Sequence, residues 1–269
     1  VYWASDGRPI MLRSRTIERQ VKINDTNVEP VLEGEQPSEL VTPLLSVVIP
    51  VFNERTTLEE VVDRVDRLPF AKEILLVDDG STDGTAALVE ELSRRSAVRS
   101  FYLRRNSGKG AAIREALQHI RGDVVVIQDA DLEYDPSEIQ QLLAPIMAGR
   151  ADVVYGSRFC EGKQNVCNPT RRAANRVLTQ LSNRLTGLRL TDMETCYKAM
   201  RREVVDGLSI RENRFGVEPE LTAKIARGGW RVAEVAICYQ PREYAAGKKI
   251  GCRDGLRALW CIARYSFLD

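Results

Sequence analysis

Apolar residues along this chain recur with two different periods, and the two alternate. Short apolar stretches at Leu44–Ile49, interrupted only by Ser46, at Ile74–Val77 and at Val124–Ile127 are rich in β-branched residues. Runs of that kind predict strands buried on both faces, as in a parallel sheet. Between them the spacing changes to that of helices: Leu58, Val61, Val62 and Val65 form one stripe, and 86–93 and 111–119 carry two more. Further strands are predicted at 98–103, 152–158 and 231–239, and further helices from Asp135-Pro136 onward, over 171–185, from Glu218 to Gly228-Gly229, and over 254–267. Strand–helix alternation predicts right-handed βαβ units and an α/β fold with a mostly parallel central sheet. Pro50 is read as the residue that ends the first strand. Residues 1–43 lack periodicity and carry several Pro, Gly and Asn, so they are read as an extension or linker, with the domain running over 44–269.

The run at 124–127 leads into Gln128-Asp129-Ala130-Asp131. Extended geometry would throw both acids to one side, and the small Ala130 lets a ligand approach. Carboxyl ends of parallel strands are where open α/β sheets bind ligands. Two acids held this close need a positive charge between them, and a hard divalent cation carrying a diphosphate meets that need. A bare Asp-x-Asp is also ordinary turn chemistry, so the neighbouring motifs matter.

Composition narrows the alternatives. Hydrophobic residues make up 43% of the 269, enough for a full core, and 39 Lys and Arg against 38 acids leave almost no net charge. No global field for nucleic acid is implied, and a phosphate site must be local. Six cysteines without a C-x-x-C pair and a single histidine, His119, argue against structural zinc and for a reducing compartment. No apolar run reaches the roughly 18 residues needed to span a bilayer, and the N-terminal stretch does not read as a signal peptide. The expectation is a cytoplasmic chain, with peripheral seating on the inner membrane face as its variant. A hydride-transfer Rossmann enzyme is disfavoured because no G-x-G-x-x-G follows the first strand.

Taken together, Ser46–Pro50 with Asn53-Glu54, Val77–Thr85, Asn106–Gly110 and Asp129-Ala130-Asp131 resemble the family 2 glycosyltransferases of GT-A fold. Gly156-Ser157-Arg158, Thr191–Thr195 and Phe215–Glu220 are similar to the dolichyl-phosphate mannose synthase and polyprenyl-phosphate glycosyltransferase branch, in its form without transmembrane helices. The resemblance covers about 44–250 and implies a GT-A three-layer sandwich, a nucleotide-sugar donor (GDP-mannose or UDP-glucose) and an inverting transfer. It implies an acceptor that is polyprenyl or dolichyl phosphate, or alternatively a saccharide or other hydroxyl compound. A non-catalytic nucleotide-sugar-binding scaffold is the non-enzymatic alternative.

The same resemblance implies roles for individual residues. Pro50, Phe52, Glu54, Asp79, Lys109, Asp129 and Ala130 would frame the donor, with Asp79 at the base edge. Asp129 and Asp131 would hold Mg²⁺ or Mn²⁺, with Glu133 as a third ligand where relatives often carry Gln. Arg158 would pair with phosphate, and Asp192 or Glu194 would meet sugar hydroxyls or act as a base. Arg171 and Arg172, Glu194, Glu220, and Arg242 with Lys248 and Lys249 would serve the acceptor phosphate. Several have plainer readings as well: acids at a helix start suit the dipole, and arginines on a helix often form a solvated face. The last helix carries Leu256, Leu259, Trp260, Ala263 and Phe267 with arginines between them, which suits core packing or an interfacial position.

Overall fold

The structure, a computed structural model, describes residues 44–159, 169–241 and 252–267. The extension at 1–43, and Arg242, Lys248 and Lys249, therefore lie outside the described residues, as does the side chain of Arg171. Seven strands form one sheet in the order β3-β2-β1-β4-β6-β5-β7. They are β1 (Leu45–Val51), β2 (Lys72–Asp78), β3 (Val98–Tyr102), β4 (Val124–Ile127), β5 (Val153–Ser157), β6 (Lys198–Arg201) and β7 (Val232–Ala236). The apolar runs place themselves at its centre: β4 is buried throughout and β1 nearly so, whereas β7 at the edge is half-buried along its length. Helices α1 (Leu58–Asp66), α2 (Thr85–Leu92), α3 (Lys109–Leu117), α4 (Ile139–Met147), α5 (Pro169–Thr186), α6 (Arg202–Asp206), α7 (Val217–Arg227) and α8 (Cys252–Phe267), with a 3-10 turn at Pro136–Glu138, complete the described elements. The result is the expected α/β, Rossmann-like architecture.

The sheet is mostly parallel, as expected, with one strand that the hydrophobic pattern did not reveal: β6 runs antiparallel to both β4 and β5. It is only four residues long, and its first residue is a lysine, so neither length nor pattern announces a strand. Pro50 does not end β1, which continues to Val51. In a parallel strand alternate residues bond to opposite neighbours. Val48 O accepts from Gln128 N on the β4 side, so Pro50 faces that side too, but β4 has already ended there. Its missing N–H costs no ladder bond. Thr57 is the N-cap of α1, yet its hydroxyl reaches the Glu54 carboxylate (2.9 Å) and the Ala130 carbonyl (2.8 Å) instead of the first turn.

Parallel pairing sends the carboxyl ends of β1, β2 and β4 to one edge, which the amino end of α3 joins. The loop at 211–216 lies directly on that helix start, where the Asn213 carbonyl accepts from Ala111 N at 3.0 Å. Such close approach requires missing side chains. A Cβ at Gly108 would meet Asn213 O at 2.4 Å, and one at Gly110 would meet Glu212 O at 2.2 Å. Glu220, at the start of α7, holds the loop from the other side: it accepts from Arg211 N, Glu212 N and Lys224 Nζ, and is fully buried. Glu220 is therefore a structural latch and not an acceptor ligand, because its oxygens are shut inside.

Gly110 is helical with no positive φ, so an added Cβ meets only a steric obstacle. Gly110→Ala is expected to destabilise the domain by about 1–3 kcal/mol, read as a fall in Tm of roughly 2–12 °C.

Candidate active site

The carboxyl edge of the sheet gathers the acids that the sequence singled out. The turn after β4 carries Asp129 and Asp131, followed by Leu132 in the left-handed region (φ 58). A branched residue with positive φ is held there only by its surroundings. That turn brings Glu133 N back to donate to Asp131 Oδ1 at 3.2 Å. Gln128, fully buried, donates to the Asp129 carbonyl at 2.9 Å and accepts from the Tyr197 hydroxyl. Sequence reasoning passed over Gln128 and Tyr197; a lone amide at the end of an apolar strand was the available signal.

Asp129 faces a cation of the chain's own. Lys109 Nζ lies 2.9 Å from Asp129 Oδ1 and 3.2 Å from Glu218 Oε1, and the other Glu218 oxygen accepts from Lys198. Lys198 is wholly buried, also donating to the Thr195 carbonyl, with its ammonium 4.9 Å from the centre of the Tyr155 ring. The four groups make a row of alternating sign: Asp129, Lys109, Glu218, Lys198. Burial alone would lower the Lys109 ammonium, but the carboxylates of Asp129 and Glu218 hold it well above its ordinary value. Lys198 was missed in the sequence, where a lysine inside Cys196–Met200 is a charge in an otherwise apolar stretch.

Beside the row stands Glu194, whose Oε1 is buried without a hydrogen-bond partner. Burial, reinforced by the Glu218 charge, pushes its carboxyl up to about 7. Asp192 is the opposite case. Its Oδ2 accepts from Arg158 Nε (2.7 Å) and Arg158 N (3.1 Å), and its Oδ1 from Arg158 Nη2 (2.8 Å) and Asn175 Nδ2 (2.7 Å). A carboxylate has about four acceptor positions, and all four are taken. Burial opposes this charge, yet Arg158 and Asn175 hold the carboxyl below its usual range. Asp192 is thus corrected from a base to an anchor for Arg158, whose fork is turned to a carboxylate. The Arg158 guanidinium also lies 5.1 Å from the centre of the Tyr239 ring. Glu234, another unmarked residue, fixes the loop by accepting from Thr191 N and Asp192 N.

Donor-side residues line the same edge. Pro50 and exposed Phe52 lie at the end of β1, and Asp79 at the end of β2. Both oxygens of Asp79 accept backbone N–H groups, from Ser107 and Gly108 at 2.7 Å each. Burial pushes its carboxyl up, against those two bonds and the Arg214 guanidinium. Glu54 N donates to Thr85 Oγ1, which ties the β1 end to α2. A cavity of ≈ 350 Å³ adjoins this edge, lined by Ser107, Arg211, Asn213, Arg214, Phe215 and Arg257 among others. Arg172 on α5 is exposed and stacks over Phe159 at 5.6 Å. Cys196, Cys238 and Cys261 are free thiols.

A divalent cation asks for hard oxygen donors. No three His, Cys, Asp or Glu side chains converge as a metal cluster among the described residues. Glu133 is buried and its carboxylate accepts from the Tyr239 hydroxyl at 2.8 Å, so it is corrected from third ligand to a support of the turn. Asp129 and Asp131 remain as two hard oxygen donors, and Mg²⁺ is commonly held by one or two carboxylates plus substrate phosphates. Their chemistry fits.

The profile of glycosyl transferase family 2 matches residues 46–208. The chain belongs to this family. It is 35% identical over 210 residues to the undecaprenyl-phosphate 4-deoxy-4-formamido-L-arabinose transferases of Salmonella choleraesuis (strain SC-B67) and Salmonella paratyphi B, a match covering 76% of this chain. The matched region spans 62% of the length of these curated relatives. Among solved structures, glucosyl-3-phosphoglycerate synthase from Mycobacterium tuberculosis superposes with a TM-score of 0.64 in its complex with Mn²⁺, UDP and phosphoglyceric acid. At 22% identity, over 84% of this chain and 80% of that one, the likeness is one of fold. For this family 2 chain, the acid pair, Lys109 and the Arg158–Asp192 pair all fall within the family profile's residues 46–208. Glu218, Glu220 and α8 lie beyond them.

Two expectations follow for this site. Replacing Arg158 with Gln leaves Asp192 buried and unpaired, so stability should fall by about 3–5 kcal/mol, and the double variant Arg158→Gln/Asp192→Asn should recover part of it in denaturant titrations. For Glu194 the folded carboxyl titrates near 7 against an ordinary value of 4.5. The folded state then binds the extra proton between those values, so stability is lost as pH rises through that window. Glu194→Gln should therefore gain stability over the parent from pH 4.5 to 7 and hold the gain above 7. A constant difference across pH would show that Glu194 keeps an ordinary pKa.

Proposed function

We propose that this protein transfers a glycosyl residue from a nucleotide sugar to polyprenyl phosphate, with inversion, working at the membrane surface. The observation that carries the reading is the Asp129–Asp131 turn backed by Lys109, at the carboxyl edge of the sheet. The curated relatives, named as undecaprenyl-phosphate sugar transferases, support the acceptor class. No helix among the described residues is long and apolar enough to cross a membrane.

Asp129 and Asp131 are the residues that would hold Mg²⁺ or Mn²⁺. When bound, the cation supplies charge for orienting the donor and offsetting the departing nucleoside diphosphate. Lys109 stands ready beside Asp129 to share that anionic load, its own charge secured by Glu218. Asp79 and Phe52 frame the base, with the Asp79 carboxylate fixed in place by two backbone donors. The donor is a nucleoside diphosphate sugar of the UDP-glucose or GDP-mannose kind. An acceptor phosphate arrives already ionised, so attack at the anomeric carbon needs positioning more than deprotonation. Arg172, with Arg171 next to it in sequence, supplies cations on the acceptor side.

A second reading has its own observation. Glu194, with a carboxyl near 7 and an unpartnered oxygen, has the proton affinity suited to a general base for a hydroxyl acceptor. Transfer to a water-soluble polyprenyl phosphate analogue separates the two, since Glu194→Gln should leave it largely intact and should abolish transfer to a hydroxyl.

For the donor, a ligand at a hundred times its dissociation constant stabilises the fold by about 2.7 kcal/mol. A thermal-shift panel of UDP, GDP and their sugars is therefore expected to show one base class stabilising the protein in the presence of Mn²⁺. Asp131→Ala should remove that shift and lower kcat/KM by roughly 10²- to 10³-fold, the several kcal/mol that charge stabilisation supplies. Undiminished transfer by Asp131→Ala would rule out the acid pair as the metal site, and no shift with any nucleotide would favour a scaffold.

A further inference from the structure

Helix α8 is amphipathic twice over. One face, Ala258, Cys261, Ile262 and Tyr265, is buried against the domain, where Tyr265 packs with Ala223 of α7. The opposite side carries a second apolar stripe: Leu256 (68% exposed), Trp260 (43%), Ala263 and Phe267 (71%), with Leu259 beside it. Their spacing of four, three and four residues keeps them on one line along the helix. Scattered exposed apolar residues are ordinary, but a continuous stripe is a contact surface.

Among the described side chains of α8, those with a charge are arginines. Arg264, and Arg257 paired with Glu212, lie over the Trp260 ring, at 4.8 and 4.2 Å from its centre. Neighbouring α5, which packs on α8, contains no Asp or Glu and presents Arg172, Arg176 and Arg184 to solvent beside an exposed Val177 (60%). A second copy of this chain is a poor occupant, because an isologous contact would set arginines against arginines. An acidic surface that also takes up apolar side chains is a good one. Aromatic and aliphatic groups flanked by arginine suit the boundary between acyl chains and headgroups, and each arginine is drawn to anionic lipid.

We propose that the outer stripe of α8 docks on an anionic phospholipid bilayer, lying in its plane. The inference deepens the polyprenyl-phosphate reading, on which it rests only for its purpose, since the surface itself is independent of the reaction. The tryptophan in the stripe provides the readout. In a Trp3→Phe/Trp230→Phe background, adding vesicles of phosphatidylcholine with phosphatidylglycerol should shift Trp260 emission to the blue and sediment the protein. Vesicles of phosphatidylcholine alone should do so far less, and added salt should weaken the binding. Arg264→Gln should weaken it by about fivefold, and Leu256→Asp/Phe267→Asp should abolish it without changing Tm. Both variants should still transfer sugar to a soluble acceptor analogue at the parental rate, which separates failure of docking from failure of catalysis. Absence of binding to the anionic vesicles would overturn the proposal, as would undiminished binding by the aspartate variant. A concentration-dependent dimer lost in that variant would overturn it in favour of a second copy.

Discussion

Four charges in a row, shielded from bulk water, tie together the parts of this molecule that matter for chemistry. Asp129 comes from the turn after β4, Lys109 from the start of α3, Glu218 from the start of α7 and Lys198 from β6. Of the neighbours in the row, only α3 and β4 are consecutive elements of the chain. Burying such charges is costly, and apolar residues of the same volume would give a similar or greater stability. What alternation of sign secures is placement: each carboxylate has its cation, and removal of one leaves another uncompensated. The turn that carries the acid pair is thus fixed by electrostatics from below and by the Thr57 hydroxyl on the Ala130 carbonyl from the side.

Crowding on the neighbouring backbone completes that constraint. Gly108 and Gly110 let the 211–216 loop lie on the start of α3, and Glu220 holds the loop by its N–H groups. On its far side the loop is held by Glu212, which accepts from Arg257 and from the Tyr265 hydroxyl. Lys109 therefore emerges from a helix start that is boxed in by backbone on one side. Its ammonium has little choice but to face the acids.

The fold was largely legible because its signals are local. Unbroken aliphatic runs at 47–49, 74–77 and 124–127 became central strands, and helical spacing marked α1, α7 and α8 within a few residues. Two things were not local. Lys198 sits in a four-residue strand whose partners are 43 to 77 residues away in the chain, so its short polar-led segment carried no period to read. The site was legible as a set of residue types and not as a set of pairings. Asp192 and Glu194 are alike in sequence, two residues apart; Arg158 and Asn175 saturate the first, while the second keeps an oxygen without a partner. Glu218 and Glu220 repeat the lesson, one facing the reaction edge and one locked in a loop. Which of two neighbouring carboxylates is available depends on partners that only tertiary structure supplies.

Contact continuity then links the outer helix to the chemistry. The inner face of α8 packs on α7, and α8 reaches through Arg257 and Tyr265 to Glu212, whose carbonyl lies against Gly110, one residue from Lys109. α7 in turn supplies Glu218 to the charge row. A helix that met a surface along its outer stripe would accordingly bear on the same backbone that aims Lys109. Such contiguity is not itself a coupling, which requires an element with two arrangements. The geometry argues for the opposite design here. Glycines without room for a Cβ, a latch with all its donors placed and a charge row with no spare member leave α3 and the loop one arrangement. A rigid connection of this kind holds the acid pair at a fixed height above whatever α8 rests on, and an acceptor phosphate tethered to that surface would meet the donor without either having to search.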